Sequence, residues 1–184
     1  MARRLFQGAV VQLLLCCCVF AAAPLNLWID VPFVQQEKNG CGPASVSMVM
    51  QYWQKQAGMS VQPAGDMATI VQSLQADGQQ AVRASAMVRY FKQNGYRAFA
   101  FPGEWTDLEQ QIAKGRPVIV ALKPDTGSAL HYVVVAGVED GEGVVLVNDP
   151  AQRKLLKEDR AAFENEWKAT GNWTLLAVPA LSVR

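Results

Sequence analysis

The sequence predicts an α+β fold in which helices come first along the chain and an antiparallel sheet follows. A length of 184 residues is that of one ordinary domain. Hydrophobic residues make up 51% of the chain, enough for a sizeable core. Apolar residues recur with helical spacing within residues 41–93, whereas β-branched runs dominate after residue 96. We therefore expect one compact domain over residues 24–184.

The N-terminal segment, residues 1–23, has the pattern of a signal peptide. Arg3 and Arg4 precede an apolar stretch over residues 8–23 that ends in small residues. The stretch is shorter than the roughly 20 residues of a spanning helix, although an uncleaved segment could still anchor the protein. The pattern predicts an exported protein, periplasmic or extracellular, with inner-membrane anchorage as the alternative.

Composition excludes several classes of function. The chain has four cysteines, of which Cys16, Cys17 and Cys18 lie in the N-terminal apolar segment, so Cys41 is the one cysteine of the mature domain. One cysteine and one histidine are too few for the usual metal ligand sets, and no cofactor-binding motif is present. A net charge of +1 is too small to attract the phosphate groups of a nucleic acid. We expect a monomer without metal or cofactor that meets a membrane only through an uncleaved N-terminal segment.

Helical periodicity and turn residues predict five helices. The first is the most apolar and should be central, with Pro43 in its first turn, where a missing N–H costs nothing. The third ends at Asn94-Gly95, a typical C-terminal stop. The predicted helices cover residues 41–56, 64–75, 82–93, 105–113 and 158–167.

Strand signals come from short β-branched and aromatic runs bounded by turn residues. Residues 139–143 are rich in turn formers and lie between two such runs, which predicts a hairpin. The predicted strands cover residues 27–34, 96–101, 117–122, 131–138, 143–148 and 173–178.

Cys41 is predicted to open the first helix, directly after the turn at Asn39-Gly40. The positive end of the helix dipole and the free N–H groups there favour a thiolate, which is the nucleophilic form of cysteine. The alternative is a buried and inert thiol.

His131 opens one strand of the predicted hairpin, and Asp149 follows the other. If Glu139 lies opposite Gly143, the two side chains share a face of the sheet and are diagonal neighbours within reach of one another. A two-residue loop would place them on opposite faces. Each residue alone is also compatible with a structural role, so this register decides whether they meet.

Five separated blocks of sequence together resemble a known family. The blocks are Gln35, Cys41-Gly42-Pro43-Ala44, Gly115-Arg116-Pro117-Val118-Ile119-Val120, His131-Tyr132-Val133-Val134-Val135 and Asn148-Asp149-Pro150. They are similar, in type and order, to family thirty-nine of the cysteine peptidases, the papain-like bacteriocin-processing peptidases of double-glycine leaders and their stand-alone relatives.

The resemblance implies a papain-like fold with its helical part carrying Cys41 as nucleophile and its sheet carrying His131 as general base and acid. Asp149 would orient the imidazole, and Gln35, with Gln36 beside it, would stabilise the oxyanion. The implied activity is cleavage of a peptide or protein, such as an exported peptide, with a separate exporter as a partner. An acyl transferase using the same residues is a variant, and a catalytically idle peptide-binding module that assists export or assembly is the alternative.

Overall fold

The computed structural model describes residues 26–37, 39–74, 82–124, 129–139, 141 and 143–180. The predicted signal segment, residues 1–23, lies outside these ranges. Within them, no helix has both the length and the apolar character needed to cross a membrane.

Five helices are present in the described residues: α1 Cys41–Gln56, α2 Met67–Leu74, α3 Ala84–Gln93, α4 Trp105–Ala113 and α5 Arg160–Lys168. The predicted bounds of α1 and α4 are confirmed. α2 begins later than predicted because a 3₁₀ turn precedes it and the Asp66 carboxylate accepts the Thr69 N–H at 3.1 Å, which caps the helix. α5 also begins later, since Asp159 ends a strand and accepts the Ala162 N–H at 3.0 Å.

Across the part of the chain that the structure describes, the sheet has seven strands, and every pair of neighbouring strands is antiparallel. Their order is β2-β7-β3-β4-β5-β6, and β1 pairs with β4 beside this path. The predicted α+β class with an antiparallel sheet is confirmed. The strands are β1 Asn26–Trp28, β2 Tyr96–Pro102, β3 Val118–Leu122, β4 His131–Glu139, β5 Val144–Asn148, β6 Leu156–Asp159 and β7 Trp173–Pro179.

Two strand predictions differ from the structure. β1 is only three residues long: the Ile29 N–H still donates to the Ala136 carbonyl of β4 at 2.8 Å, but residues 29–37 form no regular secondary structure. β6 was not predicted, since its residues alternate between half-buried and exposed at the edge of the sheet and carry two acidic side chains and a lysine.

Helices cover both faces of the sheet. α1 and α3 pack on one face, where Met50 and Phe91 join Val134 of β4 in one core cluster. α4 and α5 pack on the other, where Leu108 and Phe163 join a second cluster. β3 and β4 contribute alternate residues to the two clusters, so these central strands are buried on both sides.

A β-bulge shifts the register of the β4–β5 hairpin by one residue, so that the pairing near the turn differs from the predicted one. Glu139 lies opposite Val144, not opposite Gly143 as predicted, while Val134 lies opposite Asn148. Ala136 is therefore one extra residue in β4, between Val135 and Gly137. With this turn and no bulge, His131 at the start of β4 and Asp149 after the end of β5 would lie on opposite faces of the sheet. The extra residue places His131 and Asp149 on the same face of the sheet, as their contact requires.

Gly137 is fixed beside the bulge by close packing. A Cβ built on it would lie 2.8 Å from Leu146 Cδ1, from the Leu27 carbonyl oxygen and from Trp28 Cβ. Two of these three atoms belong to β1, which pairs with β4 at this point. The absence of a side chain therefore allows β1 to close over the bulge.

Candidate active site

Cys41 is the first residue of α1, as predicted. Its backbone N–H has no partner within the helix, because the first N–H groups of any helix lie before the first intrahelical bond. Gly40 precedes it and is buried, and a Cβ there would lie 3.0 Å from the Glu37 carbonyl oxygen. One turn further along, the Ser45 hydroxyl donates to the Tyr132 carbonyl at 3.2 Å, which ties the start of α1 to the start of β4.

His131 and Asp149 meet at the end of the hairpin. His131 Nε2 lies 2.8 Å from Asp149 Oδ1. The aspartate is almost completely buried, and its side chain also accepts the Ala151 N–H at 2.8 Å and the Gln152 side-chain amide at 2.7 Å. Three donors thus hold one carboxylate, which fixes the orientation of the imidazole.

Cys41 and His131 line the same cavity, and each shifts the pKa of the other. Because Nε2 is taken by Asp149, the ring nitrogen left for the thiol is Nδ1. Burial by itself raises the pKa of the Cys41 thiol. The hydrogen bond with His131, the N–H groups of Tyr132 and Gly42 and the imidazolium charge outweigh burial, so the net pKa lies below its ordinary value.

The pKa of His131 is shifted in the complementary direction. Burial opposes the imidazolium, but the hydrogen bonds with Asp149 and Cys41, together with their charges, raise its pKa to about 10. Burial by itself raises the pKa of Asp149. The bonds with His131, Ala151 and Gln152, together with the His131 charge, outweigh burial, so the net pKa of Asp149 lies below its ordinary value. A thiolate, an imidazolium and a carboxylate are therefore mutually stabilised in one row.

A cavity of about 370 Å³ opens beside the thiol. Gln36 lines it, and its side-chain oxygen Oε1 is buried without a hydrogen-bond partner among the described residues. Gln35, which the resemblance implied, is exposed and does not line the cavity. Exposure alternates over residues 34–37, and the Gln36 N–H donates to the Pro150 carbonyl at 2.9 Å, so Gln36 is turned inward in place of Gln35.

A second cavity of about 330 Å³ borders the other side of the imidazole and is lined in part by His131, Asp149, Glu158 and Glu166. Burial, followed by the charges of Glu166 and Asp149, raises the pKa of Glu158 to about 7. Despite this acidic lining, no group of three or more metal-ligating side chains converges in the described part of the chain.

Sequence reasoning missed two residues that support the site, Ser45 and Gln152. Gln36 was named, but only as the neighbour of Gln35, since spacing from Cys41 does not reveal which glutamine faces inward. Ser45 lies one helical turn after Cys41, a spacing that places both on one face of α1. Gln152 lies in a loop, and nothing in the sequence marks it.

The fold and the site together define a papain-like protein of the C39 peptidase type. A family model described as the Peptidase_C39 like family matches residues 28–175. That range is most of the chain, so the chain belongs to this family. No curated protein matches the chain.

Solved structures with the same fold come from C39-type peptidases. A putative C39-like peptidase from Bacillus anthracis is 20% identical, with a TM-score of 0.63 over 84% of this chain and 98% of that one. The peptidase domain of Streptococcus ComA, a bi-functional ABC transporter involved in a quorum sensing pathway, is 23% identical, with a TM-score of 0.61 over 80% of this chain and 97% of that one. A double glycine motif protease from an AMS/PCAT transporter, in complex with the leader peptide, is 22% identical, with a TM-score of 0.60 over 85% of this chain and 99% of that one.

Proposed function

We propose that this protein is a cysteine peptidase that cleaves a peptide substrate through Cys41, His131 and Asp149. The observation that carries the proposal is the convergence of the three side chains at the N-terminus of α1: His131 Nε2 lies 2.8 Å from Asp149 Oδ1, and His131 lines one cavity with Cys41. The lowered pKa of the thiol and the raised pKa of the imidazole both favour a reactive thiolate paired with an imidazolium. Membership of the Peptidase_C39 like family supports the same class of enzyme.

In the acylation step, the Cys41 thiolate adds to the scissile carbonyl carbon. The resulting oxyanion would accept hydrogen bonds from the Cys41 backbone N–H and from the Gln36 side-chain amide, which replaces Gln35 in this role. The amide of Gln36 must turn its N–H₂ group towards the cavity, a rotation that leaves its backbone in place. His131 then gives its proton to the departing amine, and a thioester remains on Cys41.

In the deacylation step, the neutral imidazole of His131 takes a proton from water, and the hydroxide formed attacks the thioester. The acid product leaves, and Cys41 and His131 return to the thiolate and imidazolium. Asp149 keeps Nε2 protonated throughout, so Nδ1 is the nitrogen that exchanges protons with thiol, amine and water.

A peptide is the proposed substrate, and the proposed place of action is outside the cytoplasm. The peptide is supported by the transporter protease of the same fold that was solved with a leader peptide. Export is supported by the charged and apolar pattern of residues 1–23.

Peptide cleavage by the wild type and by Cys41→Ala tests the proposal, with an unstructured peptide library as substrate and mass spectrometry of the products. We expect cleavage by the wild type and a loss of about 10³-fold or more in Cys41→Ala, with little change in thermal stability. Met59→Ala, at an exposed position beyond the other end of α1, is the control and should cleave normally. Binding of peptides without cleavage by the wild type would contradict the proposal and favour the idle peptide-binding module.

A further inference from the structure

Exposed apolar side chains gather where β1 meets the end of α1. The described residues contain five large exposed ones, and three of these are Trp28 at 57%, Met59 at 49% and Val61 at 54% exposure. Exposed apolar side chains that share one side of a protein mark a surface that contacts another apolar body. We refer to these three side chains as the apolar end.

An ion pair brings the two chain segments of the apolar end together. Trp28 lies two residues before Asp30, and the Lys55 ammonium donates to the Asp30 carboxylate at 2.8 Å. Met59 lies beside Lys55, because the N–H of Met59 donates to the Gln54 carbonyl at 2.9 Å. β1 and the end of α1 therefore present exposed apolar side chains around the same ion pair.

The chain enters the folded domain at this end. Asn26 is the first residue of β1 and pairs with Glu139, the last residue of β4. In the sequence, only residues 24 and 25 separate Asn26 from the apolar N-terminal segment, residues 8–23. The three residue steps from 23 to 26 cover at most about 11 Å. An N-terminal segment that stays in a bilayer would therefore hold the start of β1, and the apolar end with it, close to the bilayer surface.

We propose that the apolar end contacts a phospholipid bilayer that retains residues 8–23, and that the candidate active site faces away from this bilayer. Tryptophan favours the boundary between headgroups and acyl chains, because its ring is apolar and its N–H is polar. Methionine and valine beside it gain free energy when lipid replaces water around them. Retention of the N-terminal segment is the alternative that the sequence already offers, and the contact of the folded domain is the new element.

The direction of β4 sets the orientation of the candidate site. β4 begins at His131 and ends at Glu139, and nine residues at about 3.3 Å each separate its ends by about 25 Å. α1 runs in the same sense, with Cys41 as its first residue and Lys55 in its last turn. The thiol and the imidazole therefore lie at the end of these two elements that is away from the bilayer.

The charges around the apolar end indicate that the contact is not ionic. Asp30 accepts hydrogen bonds from Lys55 and Lys154, and Glu139 accepts one from Lys157. The turn after Glu139 adds two more carboxylates in the sequence. This end therefore has no excess of positive charge to attract anionic lipids. We expect contact with zwitterionic phosphatidylcholine, with little dependence on salt.

Tryptophan quenching tests the contact on the full-length protein in phosphatidylcholine nanodiscs. Lipids with brominated acyl chains quench only tryptophans that touch the bilayer, and residues 1–23 contain no tryptophan. We expect quenching in the wild type and a loss of at least half of it in Trp28→Phe. Trp173→Phe is the matched control, because Trp173 packs against Tyr132 beside the active site at a ring distance of 5.5 Å, and it should keep the quenching.

Serine substitutions assign the contact to the whole apolar end. Met59→Ser combined with Val61→Ser should reduce the quenching of Trp28 about twofold or more, since both substitutions remove apolar surface that lipid would cover. Leu130→Ser is the matched control, because Leu130 is 50% exposed but directly precedes His131 at the other end of β4, and it should leave the quenching unchanged.

Alkylation of Cys41 by a bulky polyethylene glycol maleimide tests the orientation, with mass spectrometry of the peptide that contains Cys41 as the readout. We expect similar rates in nanodiscs and in detergent. A rate about tenfold or more slower in nanodiscs would overturn the orientation.

Equal quenching of the wild type and Trp28→Phe would overturn the contact itself, and so would failure of the full chain to enter nanodiscs. None of these readouts involves peptide cleavage, so their failure leaves the proposed peptidase intact, and an inactive peptidase leaves the bilayer contact intact.

Discussion

The imidazole of His131 lies between a carboxylate and a thiol, and both partners stabilise its proton. Asp149 is held by the Ala151 N–H and the Gln152 amide, so it keeps its negative charge although it is buried. The His131 side chain is 21% exposed, and its pKa rises to about 10 because both neighbours favour the charged form. The consequence is that the imidazolium form of His131 is favoured, and its charge in turn favours the Cys41 thiolate.

Asp149→Asn should move the basic limb of the pH–rate profile. In the wild type, activity should fall as pH rises through about 10, where His131 loses its proton. Asparagine still accepts the Nε2–H bond but lacks the charge that raises the pKa of His131, so the basic limb should shift to lower pH. We expect a loss in kcat/KM of about tenfold at pH 8, smaller than in His131→Ala. A basic limb that stays in place would contradict the role of the Asp149 charge.

Which single residues take part is only partly readable from the sequence. Cys41, His131 and Asp149 could be named because each has a chemical type and a position that the reaction needs. Choosing between Gln35 and Gln36 required the direction of each side chain, and that direction depends on the bond from the Gln36 N–H to the Pro150 carbonyl. Contacts between distant segments of this kind leave no mark in local sequence.

At the scale of elements, the site lies where the start of α1 meets the start of β4. α1 supplies the thiol and the free N–H groups, and β4 supplies the imidazole. The bond from Ser45 to the Tyr132 carbonyl fixes one element on the other, one helical turn from the thiol and one residue from the imidazole. The relative position of these two elements therefore sets the geometry between Cys41 and His131.

Two buried serines of α1 offer a matched test of this junction. The Ser45 hydroxyl donates to the Tyr132 carbonyl at 3.2 Å, and the Ser47 hydroxyl donates to the Gly65 carbonyl at 2.7 Å. Each serine to alanine substitution should cost about 1 kcal/mol in the free energy of unfolding for the buried hydrogen bond that the serine donates. Ser47→Ala also removes the bond that the Ser47 hydroxyl accepts from the Gln51 side-chain amide at 3.0 Å. We expect only Ser45→Ala to lower kcat/KM and raise the pKa of Cys41. Equal effects of both substitutions on the pKa would show that the junction bond has no specific role.

The β4–β5 hairpin shows which features of an element can be predicted from sequence and which cannot. Both strands could be predicted from β-branched runs and turn residues, whereas the meeting of His131 with Asp149 depended on a register that the sequence left open. The turn is one residue longer than predicted, and the bulge at Ala136 compensates for it. A bulge depends on how β4 pairs with its neighbours, which include β1 against Gly137–Glu139, and such pairing is not encoded by local periodicity.

At the scale of the whole molecule, one antiparallel sheet is covered by helices on both faces. The α+β class could be predicted because the helical segments and the strand segments differ clearly in apolar spacing. The helices on the second face could not be assigned to a layer, since layer assignment needs the order of the strands. The edge strand β6 was missed for a related reason, because its short polar sequence forms a strand only against β5.

Export of the whole molecule is a separate prediction that follows from residues 1–23. A fusion of the full chain to alkaline phosphatase should be active, since that enzyme needs the disulfides of an oxidising compartment, and removal of residues 1–23 should abolish its activity. Retention in the membrane after a carbonate wash would identify an uncleaved anchor. An inactive fusion that is nevertheless well expressed would contradict export.

The most direct test of the central claim is the pH dependence of Cys41 alkylation by iodoacetamide in the wild type and in His131→Ala. In the wild type, the Cys41 pKa should lie below its ordinary value, because the interactions with His131 and the N–H groups of Tyr132 and Gly42 together outweigh burial. Without His131, burial remains and the His131 contributions are lost, so the pKa should rise. A pKa that is ordinary or raised in the wild type, and unchanged in His131→Ala, would contradict the thiolate and imidazolium pair on which the proposed peptidase depends.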